Sequence, residues 1–181
     1  FLWLKQLEKR RIEKEKLNFE NVKRAHSILS SNLLPESQQG LIRSNPMFVI
    51  NDKELIEYVA ASPYVVRGEL EKLFRDIEKL HDKKLNSFEI FYYAALIHLV
   101  FVKIHPFQDG NGRTARLLEK WFLLENLGDI ANSIQLEKNY WTYRKDYYQN
   151  IKNLGIEYDF LDYSKSLDFL LMTVSSIKNH E

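Results

Sequence analysis

The chain has 181 residues, with 26 basic and 25 acidic side chains and a formal net charge of +1. This balance excludes a general attraction to nucleic acid or to an anionic membrane surface, and the absence of cysteine excludes disulfides and thiolate zinc sites. A hydrophobic content of 45% predicts one globular domain rather than a disordered chain, and no uninterrupted apolar run is long enough to span a bilayer.

A helical pattern runs from Leu2 to about Ser30, where apolar residues recur at helical spacing among Lys, Glu and Arg. It predicts one long or two short helices, so we divide the chain into an N-terminal helical segment, residues 1–30, and a core domain, residues 31–181. The alternating charges from Lys9 to Lys16 favour a solvated helix face over a partner-binding patch. Because the chain opens inside this pattern, we expect it to be a fragment of a longer protein.

A predicted loop and a predicted hairpin follow. Turn-forming residues from Leu34 to Gly40 indicate the loop. The stretches Arg43–Ile50 and Tyr58–Pro63 then predict an exposed β-hairpin between helices. Asp52–Tyr58 also fits a helical turn, so that alternative stays open.

The next segments predict an all-α bundle. Apolar residues recur at helical spacing from Val66 to Leu80. Phe88–Lys103 is apolar on almost every side, which predicts the buried central helix. Ser87 is its expected N-cap, without a capping box because no Glu or Gln stands three residues further on. Pro106 disfavours helical geometry in the residue before it, so we expect the helix to end there.

Three further helices are predicted after a glycine turn. The first begins near Arg113 and ends before Gly128, which is a suitable helix stop. Two more cover roughly Thr142–Leu154 and Asp159–Asn179. The predicted architecture is therefore a helical bundle built around two central helices, with one short hairpin.

The residues that carry chemistry are concentrated between His105 and Arg116, in the sequence HPFQDGNGRTAR. A glycine turn that leads into a helix leaves backbone N–H groups unpaired, and with the helix dipole these form an anion site. Gly110 and Gly112 have no Cβ, so the backbone can approach a ligand closely. Asn111 between them can donate its side-chain amide.

The charged residues of the segment suit a polyphosphate. Arg113 and Arg116 lie three residues apart, so both guanidinium groups can reach the same ligand. Asp109 would repel phosphates unless a divalent cation bridged them, and Mg²⁺ binds one or two carboxylates together with phosphate oxygens. His105, an imidazole of ordinarily near-neutral pKa, is placed as a general base toward an incoming hydroxyl.

Each of these residues also has a purely structural interpretation. A histidine before proline and a Gly-Asn-Gly turn can both serve the fold alone, and Asp109 can simply pair with Arg113. A zinc site made by His105 and Asp109 is disfavoured, because Pro106 breaks the helical geometry between them and no third ligand is evident. The combination within one short segment favours the functional interpretation. Elsewhere, His98 is predicted to be a core histidine that supports this loop.

The segment matches the signature of the Fic family, His-Pro-Phe-x-Asp/Glu-Gly-Asn-Gly-Arg-x-x-Arg, at every specified position. The chain resembles that family from about Asn18 to its end, including Gly40–Arg43 and the helix with His98. The resemblance implies a Fic-like helical bundle whose β-hairpin, the flap, aligns the backbone of a target protein. It also implies a protein adenylyltransferase that moves AMP from ATP, with Mg²⁺, to a Ser, Thr or Tyr hydroxyl of the target.

The same resemblance implies roles for single residues. His105 is the catalytic base, and Asp109 binds Mg²⁺. The turn Gly110-Asn111-Gly112 holds the α- and β-phosphates. Arg113 contacts the β-phosphate region, and Arg116 holds the γ-phosphate.

Two features on the C-terminal side of the motif are less specific. Tyr148 is the candidate for lining the adenine pocket, with core packing as the alternative. Many Fic proteins carry an inhibitory helix with the pattern Ser/Thr-x-x-x-Glu-Gly/Asn. Only Ser133–Glu137 has that spacing, but Lys138 follows it in a predicted loop, so we interpret it as a coincidence. An inhibitory helix ahead of the first residue stays open.

Three alternative functions remain: transfer of phosphate or phosphocholine, removal of AMP, and nucleotide or protein binding without turnover. We expect no nucleic-acid or membrane partner, leave a homo-oligomer open, and expect a cytoplasmic location because a chain without cysteine fits a reducing compartment. His26, His81 and His180 show no pattern of partners, and we assign them ordinary surface or packing roles.

Overall fold

The computed structural model describes residues 15–50 and 53–177. These residues form seven α-helices and one two-stranded antiparallel sheet, which confirms the predicted all-α class with a short hairpin. The elements in chain order are α1 (Phe19–Leu29), β1 (Phe48–Ile50), β2 (Ile56–Val59), α2 (Val66–His81), α3 (Ser87–Ile104), α4 (Asn111–Leu127), α5 (Leu136–Thr142), α6 (Arg144–Asn153) and α7 (Leu167–Ser175).

Helix α3 forms the centre of the bundle and packs against α4, α7 and α2. Its N-cap is Asn86, whose side chain accepts from the Glu89 N–H while the Glu89 side chain accepts from the Asn86 N–H. The prediction that Ser87 caps this helix without a capping box is wrong, because the cap lies one residue earlier and so places a glutamate at the third helical position.

By length and composition α3 is the one helix of the described residues that can cross a membrane, with a mean hydropathy of 1.5 over 18 residues. Glu89 and Lys103 interrupt its apolar run, and 56% of the helix is buried inside the bundle. Its burial is that of a core helix.

A buried hydrogen-bond network joins five helices. The Glu119 carboxylate of α4 accepts from His98 Nδ1 of α3 at 2.6 Å, from the Tyr140 hydroxyl of α5 at 2.9 Å and from the Thr173 hydroxyl of α7 at 2.6 Å. His98 Nε2 lies 3.0 Å from the Tyr147 hydroxyl of α6. The prediction of a core histidine is confirmed, and its partners are helices rather than the motif loop.

The C-terminal third differs most from the prediction. Helix α6 lies within the predicted Thr142–Leu154, but α5 was not predicted at all. The predicted helix Asp159–Asn179 begins only at Leu167, because two 3₁₀ turns precede it and Asp162 accepts from the Ser164 N–H in the second of them. The last residues of that predicted helix lie outside the described residues.

The N-terminal part follows the prediction where it is described. Asn18 caps α1 by accepting from the Asn21 N–H, and α1 packs against α4. The charged cluster Lys9–Lys16 lies mostly outside the described residues, as does His180. The division of the chain after residue 30 stays a prediction.

The hairpin is confirmed in place of the alternative helical turn. Phe48 of β1 pairs with Val59 of β2, and Val49 pairs with Tyr58, with an irregular register after Val49. The second strand begins two residues before the predicted Tyr58 and ends at Val59.

Removal of the Glu119 carboxylate is expected to destabilise the bundle strongly. The change Glu119→Ala removes the shared acceptor of three buried donors, so the free energy of unfolding should fall by about 3–5 kcal/mol. Urea denaturation measures this. The exposed control Glu78→Ala on α2 should change it by no more than about 0.5 kcal/mol. A loss in Glu119→Ala as small as that of the control would show that the network contributes little.

Candidate active site

The motif begins where α3 ends inside the bundle. His105 adopts the left-handed region with φ 52°, and Pro106 follows it. Arg43 is buried beneath this reversal, and its guanidinium donates to the carbonyls of His105 at 2.6 Å, Ala61 at 2.5 Å and Ile104 at 3.2 Å. The Arg43 N–H also donates to the Pro106 carbonyl at 2.9 Å. One arginine therefore joins the end of the central helix to the chain on both sides of the hairpin.

The contacts of the His105 ring determine its tautomer. Its Nδ1 lies 3.2 Å from the Val102 carbonyl and 3.1 Å from the Tyr58 hydroxyl of β2. A carbonyl oxygen can only accept, whereas the Tyr58 hydroxyl can donate or accept, so the Val102 contact assigns the proton to Nδ1. The lone pair of Nε2, which has no hydrogen bond to any described residue, is then available to accept a proton.

Burial lowers the pKa of His105 to about 4, and the positive charge of Arg43 acts in the same direction. The imidazole is therefore neutral at pH 7. This is the protonation state that a general base requires.

The interior of the loop is fixed by Asn111 and Phe107. The Asn111 side chain accepts from the Phe107 N–H at 2.8 Å and donates to the Phe107 carbonyl at 2.8 Å. The prediction that this side-chain amide serves a ligand is wrong, because both of its polar ends are already bonded and buried. Asn111 can contribute its backbone N–H instead.

The turn before α4 presents backbone amides. Gly110 adopts φ 78°, and the first helical hydrogen bond runs from the Thr114 N–H to the Gly110 carbonyl at 2.9 Å. The amides of residues 111–113 therefore precede the hydrogen-bond ladder of the helix. The Gly110 amide is already bonded to its neighbour, because the exposed Asp109 carboxylate accepts from it at 2.5 Å.

The two arginines of the motif differ in their surroundings. Arg113 is exposed, whereas Arg116 is half-buried and donates through Nε to Glu137 at 2.9 Å. The predicted loop at Glu137 is wrong, because this residue lies in the first turn of α5, where it contacts the second arginine. The Nη1 of Arg116 lies beside Gly112, 3.5 Å from where a Cβ would stand there. Glu137 thus holds one edge of the guanidinium while Nη1 lies at the glycine turn.

For Tyr148 of α6 the structure shows core packing, while the adenine pocket stays a prediction. The tyrosine packs against the hydrophobic core and meets the Tyr147 ring edge-on at 5.2 Å between centroids. It is also half-exposed and close enough to Arg116 to interact with it electrostatically.

Three residues outside the motif hold it in place, and none of them was predicted to belong to the site: His26, Arg43 and Tyr58. His26 contacts the Asp109 carbonyl at 2.8 Å and the Gly40 amide at 2.9 Å. No local pattern distinguishes these three, because their partners lie far away in the chain. The signal that the sequence contains is the spacing of His26 four residues after Val22, which places it on the apolar side of α1.

A divalent cation fits Asp109 only together with other oxygen ligands. Within residues 15–50 and 53–177, no three or more His, Asp or Glu side chains form a group that could hold a metal ion. One exposed carboxylate beside a turn of free amides suits a Mg²⁺ ion that takes its remaining ligands from substrate phosphates and water.

The sequence profile of the Fic/DOC family matches residues 16–123, which is more than half of the chain. The chain belongs to the Fic/DOC family. Its resemblance to that family in the motif is thereby confirmed.

One relative is the protein adenylyltransferase Fic of Drosophila grimshawi, 47% identical over 58 residues. The match covers 32% of this chain and only 12% of the length of that relative.

Solved structures show the same fold. A Fic family protein from Desulfovibrio desulfuricans G20 gives a TM-score of 0.71 at 20% identity, over 96% of this chain and 48% of that one. The BepC protein of Bartonella tribocorum, a VirB-translocated effector with bound AMPPNP, gives a TM-score of 0.64 at 15% identity. The match covers 99% of this chain and 84% of that one.

The pKa of His105 can be measured directly by NMR. We expect its ring resonances to titrate with a midpoint near 4, far below the ordinary 6.5, because burial disfavours the charged ring. The spectrum of His105→Asn assigns the signals. Since the folded pKa is lowered, stability should decline as the pH falls from 6.5 toward 4, and this decline should be smaller in the variant. A midpoint at or above 6.5 would contradict the described environment of the ring.

Proposed function

We propose that this chain is the catalytic part of a protein adenylyltransferase, which transfers AMP from ATP to a hydroxyl side chain of a target protein. The observation that carries the proposal is a neutral His105 with a free Nε2, in the same loop as a turn of unpaired amides that two arginines follow. The name of the Drosophila relative and the AMPPNP bound to BepC support the choice of nucleotide and reaction.

The chemistry follows from the positions of these groups. His105 Nε2 accepts the proton of the target hydroxyl, and the hydroxyl oxygen attacks the α-phosphorus of ATP. The bond from that phosphorus to the bridging oxygen breaks, and pyrophosphate leaves. The amides of residues 111–113 together with Arg113 and Arg116 hold the phosphates and stabilise the developing charge. Asp109 would hold a Mg²⁺ ion, which when bound offsets the negative charge of the phosphates.

The hairpin suits the binding of an extended target segment. Strand β1 has β2 on one side, and its other edge has no strand partner among the described residues. Phe48 and Ile50 of this strand are exposed. A target segment that adds to this edge would form backbone hydrogen bonds, with its Ser, Thr or Tyr hydroxyl directed toward His105. A cytoplasmic location is part of the proposal, because the chain contains no cysteine.

Transfer of label from ATP tests the reaction. The wild-type chain, incubated with α-phosphate-labelled ATP, Mg²⁺ and a cell lysate, should place label on protein. His105→Ala should lower the rate by roughly 10²–10⁴-fold, the usual contribution of a general base. His81→Ala, a histidine at the end of α2, serves as the control and should retain the rate. Equal labelling by wild type and His105→Ala would contradict AMP transfer. So would a parallel reaction in which protein is labelled only by γ-phosphate-labelled ATP.

A second test concerns the acidic residue. Asp109→Asn should lower AMP transfer by at least roughly 10–100-fold, as is found when a partner of a metal site is lost, and a higher Mg²⁺ concentration should restore part of it. Asp76→Asn on the exposed face of α2 is the matched control. An unchanged dependence on Mg²⁺ in Asp109→Asn would show that this carboxylate does not hold the ion.

A further inference from the structure

We infer that His26 of α1 is a positioning residue that sets the conformation of the phosphate-binding turn, an inference that rests on the proposed function. His26 is fully buried and lies 83 positions before the residue that it contacts in the motif. Its ring touches two loops, since Nε2 is 2.8 Å from the Asp109 carbonyl and Nδ1 is 2.9 Å from the Gly40 amide.

The two contacts determine the tautomer of His26. The Gly40 N–H can only donate, so Nδ1 accepts, and the ring proton is therefore on Nε2 and is donated to the Asp109 carbonyl. A neutral imidazole can donate from Nε2 and accept at Nδ1 at the same time. No other side chain of this shape can form both hydrogen bonds. A general packing residue would not need polar partners at both positions.

The turn is also built around the ring. Phe107 stacks on it with 3.7 Å between centroids and 17° between planes. A Cβ on Gly110 would stand 3.2 Å from Nε2, closer than side chains normally approach. The glycine is needed here because the backbone passes directly over the edge of the imidazole.

The hydrogen bond of His26 orients the peptide group between Asp109 and Gly110, at the start of the turn. In a trans peptide the C=O and the following N–H point in opposite directions. When His26 holds the Asp109 carbonyl toward α1, the Gly110 N–H is directed away from α1, where it meets the Asp109 carboxylate at 2.5 Å. His26 therefore fixes both the amide at the start of the turn and the carboxylate proposed to hold Mg²⁺.

Three variants of His26 separate the two hydrogen bonds from packing. In His26→Gln the amide nitrogen can reach the Nε2 position and donate to Asp109. In His26→Asn the amide oxygen can take only the Nδ1 position and accept from Gly40. His26→Phe keeps the stack on Phe107 and loses both bonds. Val22→Ala, a buried change on the same helix away from the turn, is the control for lost stability.

We expect AMP transfer by His26→Gln to stay within about threefold of wild type. His26→Asn and His26→Phe should raise the KM for ATP and lower kcat/KM by roughly tenfold to a hundredfold, since small displacements of positioning groups have effects of this size. Val22→Ala should lower Tm without changing the KM. Equal loss in the Gln and Asn variants, in proportion to their fall in Tm, would overturn the assignment and leave His26 a packing residue.

NMR gives a readout that does not depend on turnover. The Gly110 amide, which bonds to the Asp109 carboxylate, should exchange with solvent faster in His26→Asn than in wild type, and at the wild-type rate in His26→Gln and Val22→Ala. If wild type transfers no AMP, the proposed function fails while these exchange rates still test the hold on the turn. If wild type is active and the exchange rates are the same in all the variants, the inference about His26 fails alone.

Discussion

The central helix of this bundle ends in the protein interior, and the candidate active site depends on how the carbonyl groups at that end are hydrogen-bonded. The last carbonyls of an α-helix have no partners within the helix, and burying them unpaired costs free energy. Arg43 donates to the carbonyls of Ile104 and His105, and its positive charge lies at the negative end of the helix dipole. With the helix end satisfied, His105 can occupy the left-handed region and keep its Nε2 free.

The groups that hold the motif come from the first third of the chain. His26 bonds to the Asp109 carbonyl at the start of the turn, and Arg43 donates to the His105 carbonyl at the end of the central helix. The Tyr58 hydroxyl, on the hairpin, contacts Nδ1 of His105. Each contacts the motif without belonging to the signature. The motif contains the candidate reactive groups, while distant residues hold its backbone in place.

The buried network around Glu119 holds the part of the site that contains Arg116 and Glu137. That carboxylate joins α4, which carries both arginines, to α5, which carries Glu137. Because α5 is anchored in this way, Glu137 can hold Arg116 at a constant position beside Gly112. Packing in the bundle core thus influences the position of Arg116 through α5, a helix that the periodicity of the sequence did not reveal.

The sequence by itself determined the class of fold, the central helix and the segment of the candidate site, because apolar periodicity, Pro106 and the Gly-Asn-Gly turn act over a few neighbouring positions. The sequence was less informative where tertiary packing or a local hydrogen bond decides the structure. Helix α5 is short, and most of its stability comes from packing. Helix α7 starts later than predicted because Asp162 accepts from the Ser164 N–H in the turn before it. Only the tertiary structure decided that His26 bonds to Asp109, that Asn111 is bonded to Phe107, and that Glu137 meets Arg116. Hydrogen bonds between residues far apart in the chain leave no periodic signal, since they depend on how the helices pack.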